Sequence, residues 1–543
     1  MSEQFYKKGT RVMDLLTPEE QKHYICCKVN GVIKELDYVF LKDTNATVEL
    51  LDLSNSESYH IYEATLRFIT AFAVHEIDSR LKVRFFYNVS RAIFCRIENR
   101  NYKVTDEFVD QVDKKIKEII DADLRIERIK IPKEEAIEIY KEQNDFDKIK
   151  MLNYRKEDFV HMYKVVYNGH AYYDYLFCKL VPFTGSVNIY ALRPYAPGFL
   201  LQTPRYECDG QIPPFTDEIK FAATLAHTSK WSEMEGLDTA ANINGFVKRN
   251  SALSLINVSE ARFSSMLTQL ALDIYNSDEK IRLICIAGPS SSGKTSFANR
   301  LMYQLMVFGL NPIRISIDDF YIPRDEMPEG TDIESVDALD IDLFNNTIYG
   351  LIQGKSLPLP RYDFKTSERT FSKPAKISSS DVIIIEGIHA LNSVLTRGIP
   401  EHQKYRVYIA PQSQVNIDNH SPLSMTDLRL LRRIARDART RDSDAKATIA
   451  MWPNVRNGEF KYIYPTQENA DYVFDTFLPY EVGALKDVVL PLLDRITPED
   501  DEYMVASRLR STVKLFTSIP TDDIPCNSLI REFVGGSSFK DAR

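Results

Sequence analysis

The residues best suited to chemistry lie between positions 288 and 441. Gly288-Pro289-Ser290-Ser291-Ser292-Gly293-Lys294-Thr295-Ser296 has the spacing of a phosphate-binding loop, with four residues between the glycines and Lys-Thr after the second. Glycine at both ends lets the backbone curl until several N–H groups face one anion, a conformation that bulkier residues would hinder. Lys294 would place a cation near the β- and γ-phosphates, and the Thr295 hydroxyl could ligate Mg²⁺. This is the chemistry of nucleoside triphosphate binding.

Two acids and an arginine run extend the set. Asp318, in Ile317-Asp318-Asp319-Phe320-Tyr321, could take a proton from a substrate hydroxyl and help hold a metal's water shell, or could be a turn aspartate. Glu386 ends the apolar run Asp381-Val-Ile-Ile-Ile-Glu386-Gly387. An ionised acid there is costly unless a cation offsets it, and Mg²⁺ is the candidate; the alternative is an acid that reaches solvent. Leu428 to Arg441 holds six arginines in fourteen residues. Leu431, Ile434, Ala435 and Ala438 make an apolar face, and Arg429, Arg433 and Arg436 fall on another at i, i+4 and i+7. Alone, such a run suits a solvated or RNA-binding face; beside a phosphate loop, it suits a lid that neutralises a transferring phosphoryl group.

These residues need an α/β frame. The pattern is strand Ile281 to Ala287, helix Ser296 to Val307 and strand Ile313 to Ile317, with buried strands at Val382 to Glu386 and Lys404 to Ala410. Strands alternating with helices imply a parallel sheet flanked by helices, with ligands at the C-terminal strand ends. Phe297, Leu301, Leu305 and Val307 would face that sheet.

In order, the phosphate loop, Asp318-Asp-Phe-Tyr321, Pro360-Arg-Tyr362-Asp363-Phe364, Ile385-Glu386-Gly387 and Arg433-Ile-Ala-Arg436-Asp437 resemble the uridine/cytidine kinase and phosphoribulokinase family of P-loop kinases. The resemblance implies transfer of the ATP γ-phosphate to a nucleoside 5′-hydroxyl, uridine first and cytidine second. It places Asp318 as base, Lys294 on the phosphates, Thr295, Asp318 and Glu386 at magnesium, and Arg433, Arg436 and Arg441 as lid arginines. Tyr321 and Tyr362 match aromatic positions of the nucleoside pocket, and Glu334 stands where the family has a ribose-binding aspartate. The family's base-reading histidine falls on Ser367, a second lid arginine on Ser443 and a base-contacting glutamine near Met451, so base specificity does not carry over. Arg429, outside the matched positions, is expected to matter little.

At 543 residues the chain exceeds one ordinary core. The reading is 1–56 as a small β-grasp-like domain, 57–230 as an α+β region, 231–277 as a helical connector, 278–500 as the kinase domain and 501–543 as a short tail with a loop at Gly535 to Ser538. Asn30-Gly31 between strand-like runs signals a hairpin. Residues 1–56 resemble the TGS domain of threonyl-tRNA synthetase, and 57–230 its second N-terminal domain. That domain's His-x-x-x-His is missing, and His161, His170 and Cys178 do not restore the ligand spacing, so a structural or regulatory role is expected rather than editing. A net charge of −9 argues against a chain built to coat nucleic acid, and RNA contact by the N-terminal half is not expected. Seven dispersed cysteines, no apolar leader and no membrane-length run point to the cytoplasm. Rival readings are a kinase of another small alcohol, such as a sugar phosphate or pantothenate, and an ATP-sensing RNA-binding or regulatory protein. Oligomeric state and ATP-versus-GTP preference stay open.

Overall fold

A computed structural model describes residues 3–99, 102–155, 157–277, 280–363, 366–379, 381–412 and 415–540. Its centre is a five-stranded parallel sheet. The strands are β1 (Leu283–Ala287), β2 (Pro312–Ser316), β5 (Val382–Glu386), β6 (Lys404–Ala410) and β7 (Tyr472–Asp475), in spatial order β2-β5-β1-β6-β7. An exposed antiparallel hairpin, β3 (Leu357–Asp363) and β4 (Glu368–Ala375), lies between β2 and β5 in sequence. Every residue of β1 and β5 is buried, which explains why β1 is apolar throughout and β5 is apolar up to Glu386.

Side chains of β1 alternate between two cores. Ile284 and Ile286 share a core with α1 (Lys294–Val307), α3 (Met425–Thr440), α4 (Ala445–Gly458), α5 (Glu481–Leu493) and the long helix Ala252–Tyr275. Leu283, Cys285 and Ala287 face α2 (Ile341–Ile352), the helix Ile219–Met234 and residues Phe86, Phe94 and Leu200 of the N-terminal half. Each fully buried aliphatic side chain contributes about 1.5–3 kcal/mol. Phe297, Leu301 and Leu305 of α1 are completely buried as their spacing requires. Val307 is not: it ends the helix and is 77% exposed. The expected connector is likewise part of the core, since Leu255, Ile256, Leu267 and Leu270 are fully buried.

The N-terminal half forms smaller sheets. Cys26–Val29 pairs with Val32–Lys34 through Asn30-Gly31, both with positive φ, so the hairpin lies where the sequence puts it. Helices Ser56–Ile77 and Asp106–Asp121 cover a four-stranded antiparallel sheet containing Val83–Val89 and Ala92–Ile97. This half is wired to the C-terminal half through 416–421, the segment before α3. Asn416 Nδ2 donates to the Phe85 carbonyl at 2.7 Å, and Lys148 lies 2.8 Å from Asp174 and 3.0 Å from Asp418, all three buried. Residues 501–540 are no loose tail. They carry α6 (Tyr503–Val513) and α7 (Arg531–Val534), and Leu529, Ile530 and Phe533 are fully buried in the main core.

Candidate active site

The loop after β1 runs into α1 through Gly293, whose φ of +89° favours glycine. Gly288 is required for another reason: a Cβ there would meet the Ile409 carbonyl at 2.1 Å. The loop is held from behind by α3. Arg429 Nε donates to the Ser290 carbonyl at 3.0 Å, Arg432 Nη1 to the Ser291 and Ser292 carbonyls at 3.3 Å each, and Arg433 Nη1 to Ser290 Oγ at 2.8 Å. Carbonyls clamped on the outside leave N–H groups of the loop for an anion, apart from that of Ser292, which donates to the Pro289 carbonyl at 3.2 Å, and that of Ser296, which donates to Glu532 at 3.2 Å.

Arg429 therefore corrects the sequence reading. It is buried, pairs with Glu459 and lies over the Trp452 ring as well as binding the loop. Arg432, fully buried against Glu481, was not singled out at all. Nothing in an arginine run tells which members turn inward; that depends on Glu459 and Glu481, which lie 30 and 49 residues downstream. Nor is α3 a free lid: Leu428, Leu430, Leu431 and Ile434 are fully buried, and only its far end reaches outward. There Asp437 gathers Arg433 (3.2 Å), Arg436 (2.7 Å) and Arg441 (3.8 Å), the three arginines expected at the phosphates. Arg436 is the first cause of the lowered Arg441 pKa, about 10, followed by burial. Such crowded cations suit a polyanion.

Register brings the acids to the loop. Glu386 sits opposite Ile286 on one side and Ser316 on the other, and Asp318 follows two residues after Ser316 in a short 3₁₀ turn (Ile317–Phe320). Burial, then repulsion from Asp318, pushes Glu386 up to about 7, with Arg314 and Lys294 working against the rise. Arg314 Nη1 donates to Glu386 Oε1 at 3.1 Å, so the charge offset assigned to magnesium is partly supplied by an arginine the sequence reading passed over. Lys294 Nζ donates to the Gly288 and Pro289 carbonyls at 3.0 and 3.2 Å. Burial lowers its pKa, while Glu386, Asp318 and the C-terminal Glu532 oppose the shift.

The remaining predicted residues divide. Tyr321 and Tyr362 meet, with ring centroids 5.7 Å apart, and Tyr321 Oη donates to the Ile333 carbonyl at 3.1 Å. Asp319 ties the hairpin to this corner through Arg361 (3.1 Å) and the Tyr362 N–H (3.2 Å). Glu334 is half-buried; burial raises its pKa and Arg433 opposes the rise, so it faces the same charge field. Its carbonyl contacts the buried His389 Nε2 at 2.9 Å, a residue just beyond Glu386 that was not foreseen. Ser367 has a φ of +60°, and its N–H donates to the Asp363 carbonyl at 2.7 Å, so its place is the hairpin turn. Phe364 lies outside the described residues. Thr295 is half-buried, and Ser296 is buried beneath Glu532.

Among the described residues no cluster of three or more His, Cys, Asp or Glu is arranged to hold a metal alone. Magnesium does not need one, because it keeps waters and binds through one or two carboxylates plus phosphates. The raised Glu386 beside Asp318 fits such an ion, since a cation would relieve their repulsion. A cavity of about 530 Å³ opens elsewhere, between the helix Ser56–Ile77 and the start of α3, so cavity size does not mark the phosphate site.

A glycine loop at the C-terminal edge of a parallel sheet, with a lysine inside it and acids on neighbouring strands, defines a P-loop kinase fold. The profile of the Phosphoribulokinase / Uridine kinase family matches residues 283–481. The chain is 31% identical over 198 residues to a uridine kinase of Staphylococcus epidermidis, covering 35% of this chain and 86% of that protein. It is 26% identical over 257 residues to the uridine kinase of Saccharomyces cerevisiae (46% of each chain), and 29% over 194 residues to uridine-cytidine kinase A of Dictyostelium discoideum (35% of each). The chain thus spans about half the length of the yeast relative and about a third of the Dictyostelium one. It belongs to the phosphoribulokinase/uridine kinase family, a family of phosphotransferases with alcohol acceptors.

Proposed function

We propose that this chain is an ATP- and Mg²⁺-dependent kinase that phosphorylates the 5′-hydroxyl of a nucleoside, uridine or cytidine foremost. One observation carries the reading: Glu386 ends β5 while Asp318 and Lys294 follow the neighbouring strands β2 and β1, close enough that the two acids act on the Lys294 ammonium and Asp318 and Lys294 act on the Glu386 carboxyl. In this reading Asp318 takes the proton of the acceptor hydroxyl. Lys294 and Arg433 face the charge that spreads over the transferring phosphoryl, with Arg436 and Arg441 supporting them from the shared Asp437. Thr295, Asp318 and Glu386 would hold the magnesium, which supplies further charge neutralisation. Tyr321 and Tyr362 would flank the base and Glu334 would accept from the ribose hydroxyls.

The turn position of Ser367 favours a second reading on the same fold, a kinase of another small alcohol, because the place of a base reader is taken by a turn residue. ADP release measured over uridine, cytidine, purine nucleosides, sugar phosphates and pantothenate separates the two. Turnover confined to a non-nucleoside alcohol would overturn the nucleoside reading, and no ADP release with any of them would overturn both.

For residues 1–230 we keep the synthetase-like reading with a structural role. The Asn30-Gly31 hairpin and the buried ties at 416–421 support it. No helix among the described residues is long and apolar enough to cross a membrane, and the cytoplasm is the proposed location.

A further inference from the structure

The C-terminal segment reaches into the phosphate loop. Glu532, in α7, follows Ser296 by 236 residues. Its Oε2 accepts from the Ser296 N–H at 3.2 Å and from Ser296 Oγ at 2.9 Å. The side chain is not loosely placed. Leu529 fills the space where a Cβ on Gly293 would fall, 2.6 Å away, and Arg439 Nη2 donates to the Glu532 carbonyl at 2.8 Å. Arg432 lies 5.1 Å from the Phe533 ring centre. A carboxylate is therefore held against the first turn of α1, where unpaired N–H groups and the helix dipole favour an anion.

The same N–H belongs to the loop that the kinase reading assigns to the triphosphate. One N–H cannot serve both a carboxylate and a phosphate, and two anions side by side repel. Resting on that reading, we propose that Glu532 is a resident anion of the nucleotide site, which holds Ser296 in the nucleotide-free protein and must give way when phosphates bind. Its displacement is charged against binding, so the carboxylate stabilises the free loop and weakens nucleotide affinity. The effect requires phosphate on the ligand: ATP and ADP experience it, adenosine does not.

Calorimetric titration of the full chain with ATP, ADP and adenosine tests this in wild type, Glu532→Gln and Glu532→Asp. The glutamine keeps shape and loses charge. It is expected to bind ATP about tenfold tighter, a change of about 1.4 kcal/mol, with adenosine affinity unchanged. The aspartate withdraws the carboxylate by one methylene and should shift ATP affinity the same way. The melting temperature of nucleotide-free Glu532→Gln should fall, because the helix end loses its anion. Equal or weaker ATP binding by both variants, with wild type binding normally, would overturn the proposal. If none of the three proteins binds ATP, the kinase reading itself fails, and the proposal with it.

Discussion

Replacing Arg432 by methionine should destabilise the protein in a way that depends on pH. Arg432 and Glu481 are both fully buried and paired, and Arg432 also donates to the carbonyls of Ser291, Ser292 and Thr476. Burial pushes Glu481 up to about 7, and Arg432 is the main influence holding it down. Losing the buried donor should cost about 2–4 kcal/mol even at pH 5.5, where Glu481 is largely protonated. A carboxyl whose folded pKa is raised adds stability that is complete below its unfolded value, near 4.5, and lost as pH rises through the folded value. In wild type the loss due to Glu481 levels off above about pH 7, where Glu481 ionises against Arg432. In Arg432→Met the folded pKa moves higher still, so the variant continues to lose about 1.4 kcal/mol per pH unit. At pH 8 the gap from wild type should therefore be wider by about 1.4 kcal/mol, or about 3–6 °C in melting temperature for a domain of this size. Scanning calorimetry at pH 5.5 and 8 measures this, and adding Glu481→Gln should restore most of the extra loss. A gap that is the same at both pH values, or unaffected by Glu481→Gln, would refute the reasoning.

Asp318→Asn should lose most phosphoryl transfer while still binding ATP, as single-turnover assays and nucleotide titration would show separately. Lys294→Ala should lower turnover by about 10²–10³, the scale of removing one well-placed charge donor from a dry site; activity within a few-fold of wild type would take Lys294 off the phosphates. Arg429→Ala should lower melting temperature and turnover at least as much as Arg436→Ala, because it removes both a loop contact and the partner of buried Glu459. Competition between ribonucleosides and 2′-deoxynucleosides should favour the former, as a half-buried Glu334 left without its hydroxyl partners is penalised; equal turnover would remove Glu334 from the ribose.

What the sequence shows of this site is what local pattern encodes. The phosphate loop, the strand ends bearing Asp318 and Glu386, and α1 are all set by contiguous runs whose period and glycines announce them. The partners that tune those residues come from far away. Arg314 reaches Glu386 across 72 residues, Arg432 depends on Glu481, and Glu532 reaches Ser296 across 236 residues. None lies in a periodic segment that names its target. The misreading of Arg429 has the same origin: helical spacing tells which residues share a face, not whether that face meets solvent or a row of carbonyls. Val307 kept the apolar character of its helix and lost burial because the helix ends there.

The contact between Gly293 and Leu529 also has a consequence in time. A chain made from its N-terminus at about 5–20 residues per second needs about 12–47 s to pass from Ser296 to Glu532. Through that interval the loop, the sheet and α3 can form, but the wall that Leu529, Ile530 and Phe533 supply does not yet exist. The phosphate loop is thus enclosed only well after its own residues have been made. A product cut short before Leu529 would carry every sequence motif of a kinase around a phosphate loop with one side open.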